Sequence, residues 1–276
     1  MDSKDDPHPA PDTPSHGLPA PGDSYVQSFA RGLAVIRSFS AEAPQQTLSE
    51  VAQRAGLTRA GARRILLTLQ TLGYVNSDGR HFRLTPRILA LGFAYLSSTP
   101  VWDLAEPVMA DLVDEVKESC SIAALDGTDI VYVLRVPTQH KIMRISLAVG
   151  SRLPAAYTSM GRVLLAHLPP AEARAVLQAC DLRARTRHSL TDVDALCEQL
   201  AQIRKQGWAL VNQELEEGLI SVAAPLTNAR GEVRAAINVS GQANRTSARA
   251  MQQTLLPPLR AAARKISQLL QSSGAY

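Results

Sequence analysis

The stretch from Thr47 to Tyr74, TLSEVAQRAGLTRAGARRILLTLQTLGY, limits the fold of this chain more than any other. Thr47 followed three residues later by Glu50 has the form of a capping box, in which each residue satisfies a backbone N–H that the first turn of a helix leaves unpaired. Gly56 can take the left-handed conformation that ends the short helix so begun, and Thr58 caps the next one, which runs to about Leu72. On a helical wheel Ala62, Ile65, Leu66, Leu69 and Leu72 share one sector, while Arg59, Arg63 and Arg64 lie opposite. Ala52 is small where the two helices cross, and Val51, Leu57, Ala62 and Ile65 stand where the pair must pack. Two helices joined by a short Gly-containing turn form a helix-turn-helix. Leu67 falls on the arginine side and is expected to pack beneath the hairpin that comes next in the chain.

That hairpin is YVNSDGRHFRL, two short apolar strands around an Asp78-Gly79 turn, which reads as a wing. Upstream, SFARGLAVIRSFS spaces Phe29, Leu33, Ile36 and Phe39 at helical intervals. Downstream, Thr85 and Pro86 start RILALGFAYLSS, a helix apolar nearly all round that is expected to be buried against a partner chain or the next domain. Residues 1–24 hold six prolines and little to bury, so a disordered tail is expected there. The organisation read from these signals is a tail over 1–24, a winged helix-turn-helix over 25–84, a linker helix over 85–98 and a larger domain over 99–272.

Charge separates the two parts. Between Ser24 and Ser97 there are nine arginines and three acidic residues, a net +6, while the whole chain carries +4. A basic module joined to a companion that is not basic suggests nucleic acid as a partner of the first. The start of a helix carries partial positive charge and ordinarily attracts Asp or Glu, yet among the DNA-facing positions Thr58, Arg59, Ala60, Arg63 and Arg64 the charged residues are the three arginines. In a helix-turn-helix this end enters the major groove of double-stranded DNA, where arginine meets phosphates and guanine edges. Arg80 at the wing tip would touch the backbone or the minor groove. The alternative is a solvated basic face.

Beyond Pro100 helices and strands alternate. SIAALDGTDIVYVLRV reads as a hairpin and KIMRISLAV as a third strand; helices come next near Ser159–Leu168, Ala171–Cys180 and Val193–Gln206. Strands resume at WALVNQEL, ISVAAPLT and VRAAINVSG, and a helix from Ser247 to Leu270 closes the chain. Antiparallel strands with helices on their faces give an α+β fold. No apolar run approaches the ~20 residues of a membrane span, and the opening residues lack the pattern of a secretion leader, so a cytoplasmic protein without membrane partners is expected. Cys120, Cys180 and Cys197 have no CxxC spacing and are expected to be buried thiols. The chain carries no GxSxG, HExxH, Walker or dinucleotide fingerprint, and its histidines are scattered, so neither catalysis, nor a metal, nor a cofactor is expected.

Three stretches, LSEVAQRAGLTRAGARRILLTLQTLGYV, VGSRLPAAYTSMGRVLLA, and GWALVNQELEEGLISVAAPL followed by AAINVSG, resemble the IclR family of bacterial transcription regulators from Tyr25 to Leu270. The form GLTRAGARRILLTLQTLGY is similar to the regulators that respond to protocatechuate, β-ketoadipate or 4-hydroxybenzoate, and terephthalate regulators resemble it too. The resemblance implies a dimer or tetramer on palindromic promoter DNA, RNA polymerase as a further partner, and a GAF-like C-terminal sensor for a small aromatic carboxylate. It places the effector between the sheet and the helix opened by TSMGR, at Ser159, Met160 and Gly161, with Asn212, Ser221, Asn238 and Ser240 as polar pocket positions. Backbone N–H groups at that helix start can hold a carboxylate, and Gly161 allows close approach. Arg144 either pairs with a second carboxylate or is a surface arginine on an edge strand. Val211 and Thr227 depart from the usual signature of the sensor. The competing readings are a second domain that only oligomerises, and an enzyme.

Overall fold

The structure is a computed structural model that describes residues 22, 24–97, 101–138 and 147–272. All of the expected tail except Gly22 and Ser24 lies outside the described residues, as do Arg144 and most of the strand expected over KIMRISLAV. The chain forms two compact units that change over between Tyr95 and Leu96.

The first unit contains α1 (Gln27–Arg37), β1 (Gln46–Thr47), α2 (Leu48–Arg54), α3 (Arg59–Thr71), β2 (Val75–Ser77), β3 (His81–Leu84) and α4 (Leu89–Ser97). Thr47 and Glu50 make the reciprocal capping box: the Thr47 N–H donates to Glu50 Oε2 at 2.7 Å, and the Glu50 N–H to Thr47 Oγ1 at 3.4 Å. Gly56 has φ +64°, and the Gly61 N–H donates to Thr58 Oγ1 at 3.1 Å at the start of α3. Caps of this kind are worth about 1 kcal/mol each. Val35, Val51, Ala52, Ala62, Leu66, Leu69 and Val75 form the core of this unit. The wing is a three-stranded antiparallel sheet of order β1-β3-β2, with β1 added to the expected hairpin because the buried Gln46 bonds the Ser38 carbonyl and holds the approach to α2 in place.

Two apolar expectations are corrected by the structure. Leu72, assigned to the buried sector of α3, is 50% exposed, because it stands at the C-cap, where the helix ends. Leu67 does not pack beneath the wing; it is 41% exposed and borders an open groove. Large apolar side chains also stay exposed on α1 (Phe29) and α4 (Leu89, Phe93).

The second unit contains α5 (Val101–Val116), β4 (Ser119–Asp126), β5 (Asp129–Val136), β6 (Arg152–Pro154), α6 (Ser159–His167), α7 (Pro170–Ala179), α8 (Val193–Gln206), β7 (Ala209–Asn212), β8 (Leu219–Thr227) and β9 (Val233–Gln242). It ends in α9 (Ala248–Ala250), a π turn (Met251–Leu255) and α10 (Leu256–Ser272). Its sheet has the order β6-β5-β4-β9-β8-β7 and is antiparallel throughout. Alternation along the strands sends large side chains to one face and small ones to the other. Ile220, Val222, Ala224 and Leu226 of β8, with Ile237 and Val239 of β9, pack under α5 and α10. Ala209, Ala223, Ala236 and Ala123 lie under α6 and α8, which lets those helices come close and leaves room for a recess.

The sequence reading does not supply α5, because Pro107 sits inside it and proline normally breaks a helix interior. Burial of Trp102, Ala105, Met109 and Leu112 along one face outweighs that penalty. Of the three cysteines expected to be buried, only Cys120 is; Cys180 and Cys197 are half-buried. Among the described residues no helix is long and apolar enough to cross a membrane.

Candidate functional site

In the first unit, an open groove runs between α3 and the wing, with Arg59, Arg63 and Arg80 on its walls and Leu67, Gln70 and Ser77 among its other lining residues. Arg59, Arg63 and Leu67 lie one turn apart along α3, so they form a single stripe facing the groove. Arg64 and Ala60 are exposed beside it, outside the lining. Thr58 spends its side-chain oxygen on the helix cap. No acidic residue lies in the first turn of α3, and among the described residues no carboxylate forms an ion pair with Arg59, Arg63, Arg64 or Arg80. The positive charge is therefore available to an external anion.

The wing tip is held by Asp78, whose Oδ1 accepts the backbone N–H of His81 at 2.7 Å and of Arg80 at 2.9 Å. These two bonds keep its carboxyl at a pKa of about 2, below the ordinary carboxylate range, so the turn that presents Arg80 stays formed at neutral pH.

In the second unit, the sheet face beneath α6 carries two polar rows. Directly opposed residues of antiparallel strands point to the same face, so Val211, Ser221 and Ser240 form one row and Ala223, Asn238, Ser121 and Arg135 the next. A narrow recess opens on these rows, lined by Tyr132, Tyr157, Thr158, Ser221, Asn238 and Ser240, with Leu153, Val211, Leu215 and Leu219 as apolar wall. Ser221 Oγ donates to Ser159 Oγ at 2.9 Å, which ties the sheet to the start of α6. Asn238 Nδ2 donates to Ser240 Oγ at 3.0 Å, whereas its Oδ1 is buried and has no partner among the described residues. Burial pushes the Tyr132 phenol up to about 12, which keeps it protonated and able to donate.

The structure thus brings Ser159, Ser221, Asn238 and Ser240 to one place. Asn212 does not join them: it is exposed, and Val211 points into the recess instead. Strand alternation is the reason, since adjacent residues face opposite sides. Met160 is fully buried in the core beneath α6. Gly161 serves packing rather than ligand approach. Its N–H is taken by Thr158 Oγ1 at 3.1 Å, and a Cβ on it would lie 2.2 Å from the Ala155 carbonyl oxygen. The N–H groups of Ser159 and Met160 have no hydrogen-bond partner among the described residues and stay candidates for an anion. Arg135 is not among the residues that the sequence points to; it is half-buried on the recess face, and its NH1 donates to Ser121 Oγ at 3.1 Å.

The pair behind the recess is equally unannounced by the sequence. Arg162 of α6 is 0% exposed and reaches Glu214 with both terminal nitrogens, at 2.7 and 2.6 Å, while its Nε donates to the Ala156 carbonyl at 2.8 Å. Glu214 Oε2 also accepts the Leu190 N–H at 3.0 Å, and the Glu214 carbonyl accepts from Ser189 Oγ at 2.7 Å. These bonds join α6, the segment before α8 and the β7–β8 connection. The signal available in sequence is a single arginine inside SMGRVLLA, an otherwise uncharged run.

Fold and site together define a winged helix-turn-helix DNA-binding protein with a second, α+β unit. Residues 28–79 match the IclR helix-turn-helix domain, and residues 93–268 match the C-terminal domain of bacterial IclR transcriptional regulators. The Pca regulon regulatory protein of Pseudomonas putida is 43% identical over 242 residues, 88% of this chain and 83% of that one. The p-hydroxybenzoate hydroxylase transcriptional activator of Acinetobacter baylyi is 34% identical over 253 residues, 90% and 93%. The crystal structure of an IclR homologue complexed with 4-hydroxybenzoate from Microbacterium hydrocarbonoxydans superposes with a TM-score of 0.74 at 25% identity, covering 88% of this chain and 98% of that one. The chain belongs to the IclR family of bacterial transcription regulators; it is a regulator of transcription and not an enzyme.

Proposed function

We propose that this regulator works in the cytoplasm as a dimer or tetramer, binds palindromic promoter DNA and senses a small aromatic carboxylic acid, so as to control an operon for aromatic-acid breakdown, with RNA polymerase as a further contact. Residues 25–84 act as the reader, 85–98 as the linker and 99–272 as the sensor. The observation that carries the reading is the recess, whose apolar walls and polar groups from three strands and a helix start suit the edge of a small aromatic acid. The regulators it resembles are named for the Pca regulon and for p-hydroxybenzoate hydroxylase, which favours an aromatic acid of that class. The effector carboxylate is drawn to the start of α6 and to the charge of Arg135, and the ring lies against Tyr157 and the leucines. The apolar side chains left exposed on α1 and α4, Phe29, Leu89 and Phe93, are the surface on which a second copy would close.

Switching requires the acid to bind one arrangement of the reader domains more tightly than another, since equal affinity shifts nothing. For the reader, Arg63→Ala is expected to weaken operator binding by about 1–3 kcal/mol. If Arg63 reads a guanine, the loss is confined to operators that carry that base; if it contacts a phosphate, the loss is uniform and the salt slope falls by about one. Titration of operator variants across a salt series distinguishes the two, and unchanged binding on every operator would remove α3 as the recognition helix.

A further inference from the structure

We infer that Leu67 is a specificity-determining residue of the DNA reader, and that the group it reads is the C5-methyl of a thymine in the operator. The inference rests on α3 being the recognition helix, as proposed above, and adds a contact that no hydrogen bond supplies. Arg59, Arg63 and Leu67 follow one another at intervals of four residues along α3 and line the same groove. Three large apolar side chains reach that groove. Leu48 and Phe82 pack against the core of the unit, while Leu67 stands outside that cluster and is 41% exposed. An exposed leucine by itself carries little meaning; its place in a row of cations does.

The neighbours of Leu67 decide what kind of partner fits. A protein surface that covered it would also cover Arg59 and Arg63, which form no ion pair among the described residues. Burying such cations without counter-charges is costly. Duplex DNA brings its own counter-charges in its phosphates. Within the major groove the base edges offer hydrogen-bonding groups, which leucine cannot use, and one apolar group, the methyl of thymine. A phosphate or a guanine edge set against Leu67 would lose water without gaining a bond. Cytosine, which lacks the methyl and presents an amino group there, would leave the side chain against a polar edge. Taking one methyl group out of water is worth about a 4-fold change in affinity per contact.

The test is fluorescence anisotropy of the full chain on the DNA upstream of its gene, in which each thymine in turn is replaced by deoxyuridine. That replacement removes the C5-methyl and keeps the base pair. At one or more thymines of the footprint it is expected to weaken binding of the unaltered protein by about 4-fold. Leu67→Ala is expected to weaken binding to the unmodified operator by a similar factor and to show no further loss at that deoxyuridine, so that the two changes do not add. Alanine favours the helix and the position is exposed, so the variant is expected to keep its fold. An operator on which no deoxyuridine weakens binding would overturn the inference while leaving the arginine reader intact. So would a Leu67→Ala protein that keeps the full preference for thymine. With unaltered affinity another side chain then reads the methyl, and with affinity lowered on both operators Leu67 meets the sugar–phosphate backbone instead. Absence of specific binding to the upstream DNA would overturn the recognition-helix reading and this inference with it.

Discussion

Glu214→Ala is expected to destabilise the C-terminal unit by about 3–5 kcal/mol, because it leaves the Arg162 guanidinium buried without a counter-charge. Among the described residues Glu214 is the ion-pair partner that Arg162 has. Arg162 is 0% exposed, and its remaining partners are the neutral Ala156 carbonyl and the Gln199 side chain. The same substitution frees the Leu190 N–H, which donates to Glu214 Oε2 at 3.0 Å, so the segment before α8 should loosen as well. Denaturant unfolding followed by intrinsic fluorescence measures the loss, with the transition of the C-terminal unit analysed separately from that of the reader. Replacing both partners with apolar residues, Arg162→Met with Glu214→Leu, removes the stranded charge and should recover much of the stability, as buried pairs commonly allow. A single variant as stable as the parent would show that water reaches Arg162, and the tie between α6 and the β7–β8 connection would lose its importance.

Gly161→Ala is the second large effect expected. The added Cβ would lie 2.2 Å from the Ala155 oxygen, 2.4 Å from its Cα and 2.6 Å from its carbonyl carbon, all backbone atoms that cannot rotate away. α6 must then move off the turn at Ala155–Tyr157, at a cost of about 1–3 kcal/mol or more. The movement takes with it Thr158 and Ser159, which border the recess, so effector affinity should fall together with the melting temperature. Gly61 in α3 provides the internal control. It occupies the same place relative to its cap, yet a Cβ there would meet only the Thr58 side-chain oxygen at 3.2 Å. Gly61→Ala should be close to neutral, since the helix-propensity gain of about 0.5–1 kcal/mol offsets a small adjustment of the cap. Equal losses at the two positions would mean that the contact with Ala155 is relieved without cost.

The N-terminal reader is legible in the sequence because its signals are local. A capping box spans four residues, Gly56 marks its own turn, and Asp78-Gly79 marks the wing, so each element can be recognised without knowing its neighbours. The recess beneath α6 depends on register, and β7 differs there from the expectation by one residue. Asn212 has the chemistry of a pocket residue, but strict alternation from the buried Ala209 puts Val211 inward and Asn212 out. Gly161 suggests freedom for a ligand to approach, when its small size instead admits the Ala155 backbone. The Arg162–Glu214 pair joins residues 52 positions apart, and no periodicity in a single chain announces such a contact. Pro107 conceals α5 because the local rule and the tertiary burial disagree, and burial decides.

The central claim is that one chain both reads DNA and senses an aromatic acid, and the most direct measurement is fluorescence anisotropy of the full chain on the DNA upstream of its gene. It should be run at about 0.15 M salt, where nonspecific binding is weak, with and without a panel of aromatic mono- and dicarboxylic acids. Specific binding is expected, with an affinity that one acid of the panel changes by about 5- to 150-fold. Tight, specific binding that no acid alters in affinity or footprint would contradict it, and would leave the C-terminal unit as an oligomerisation module.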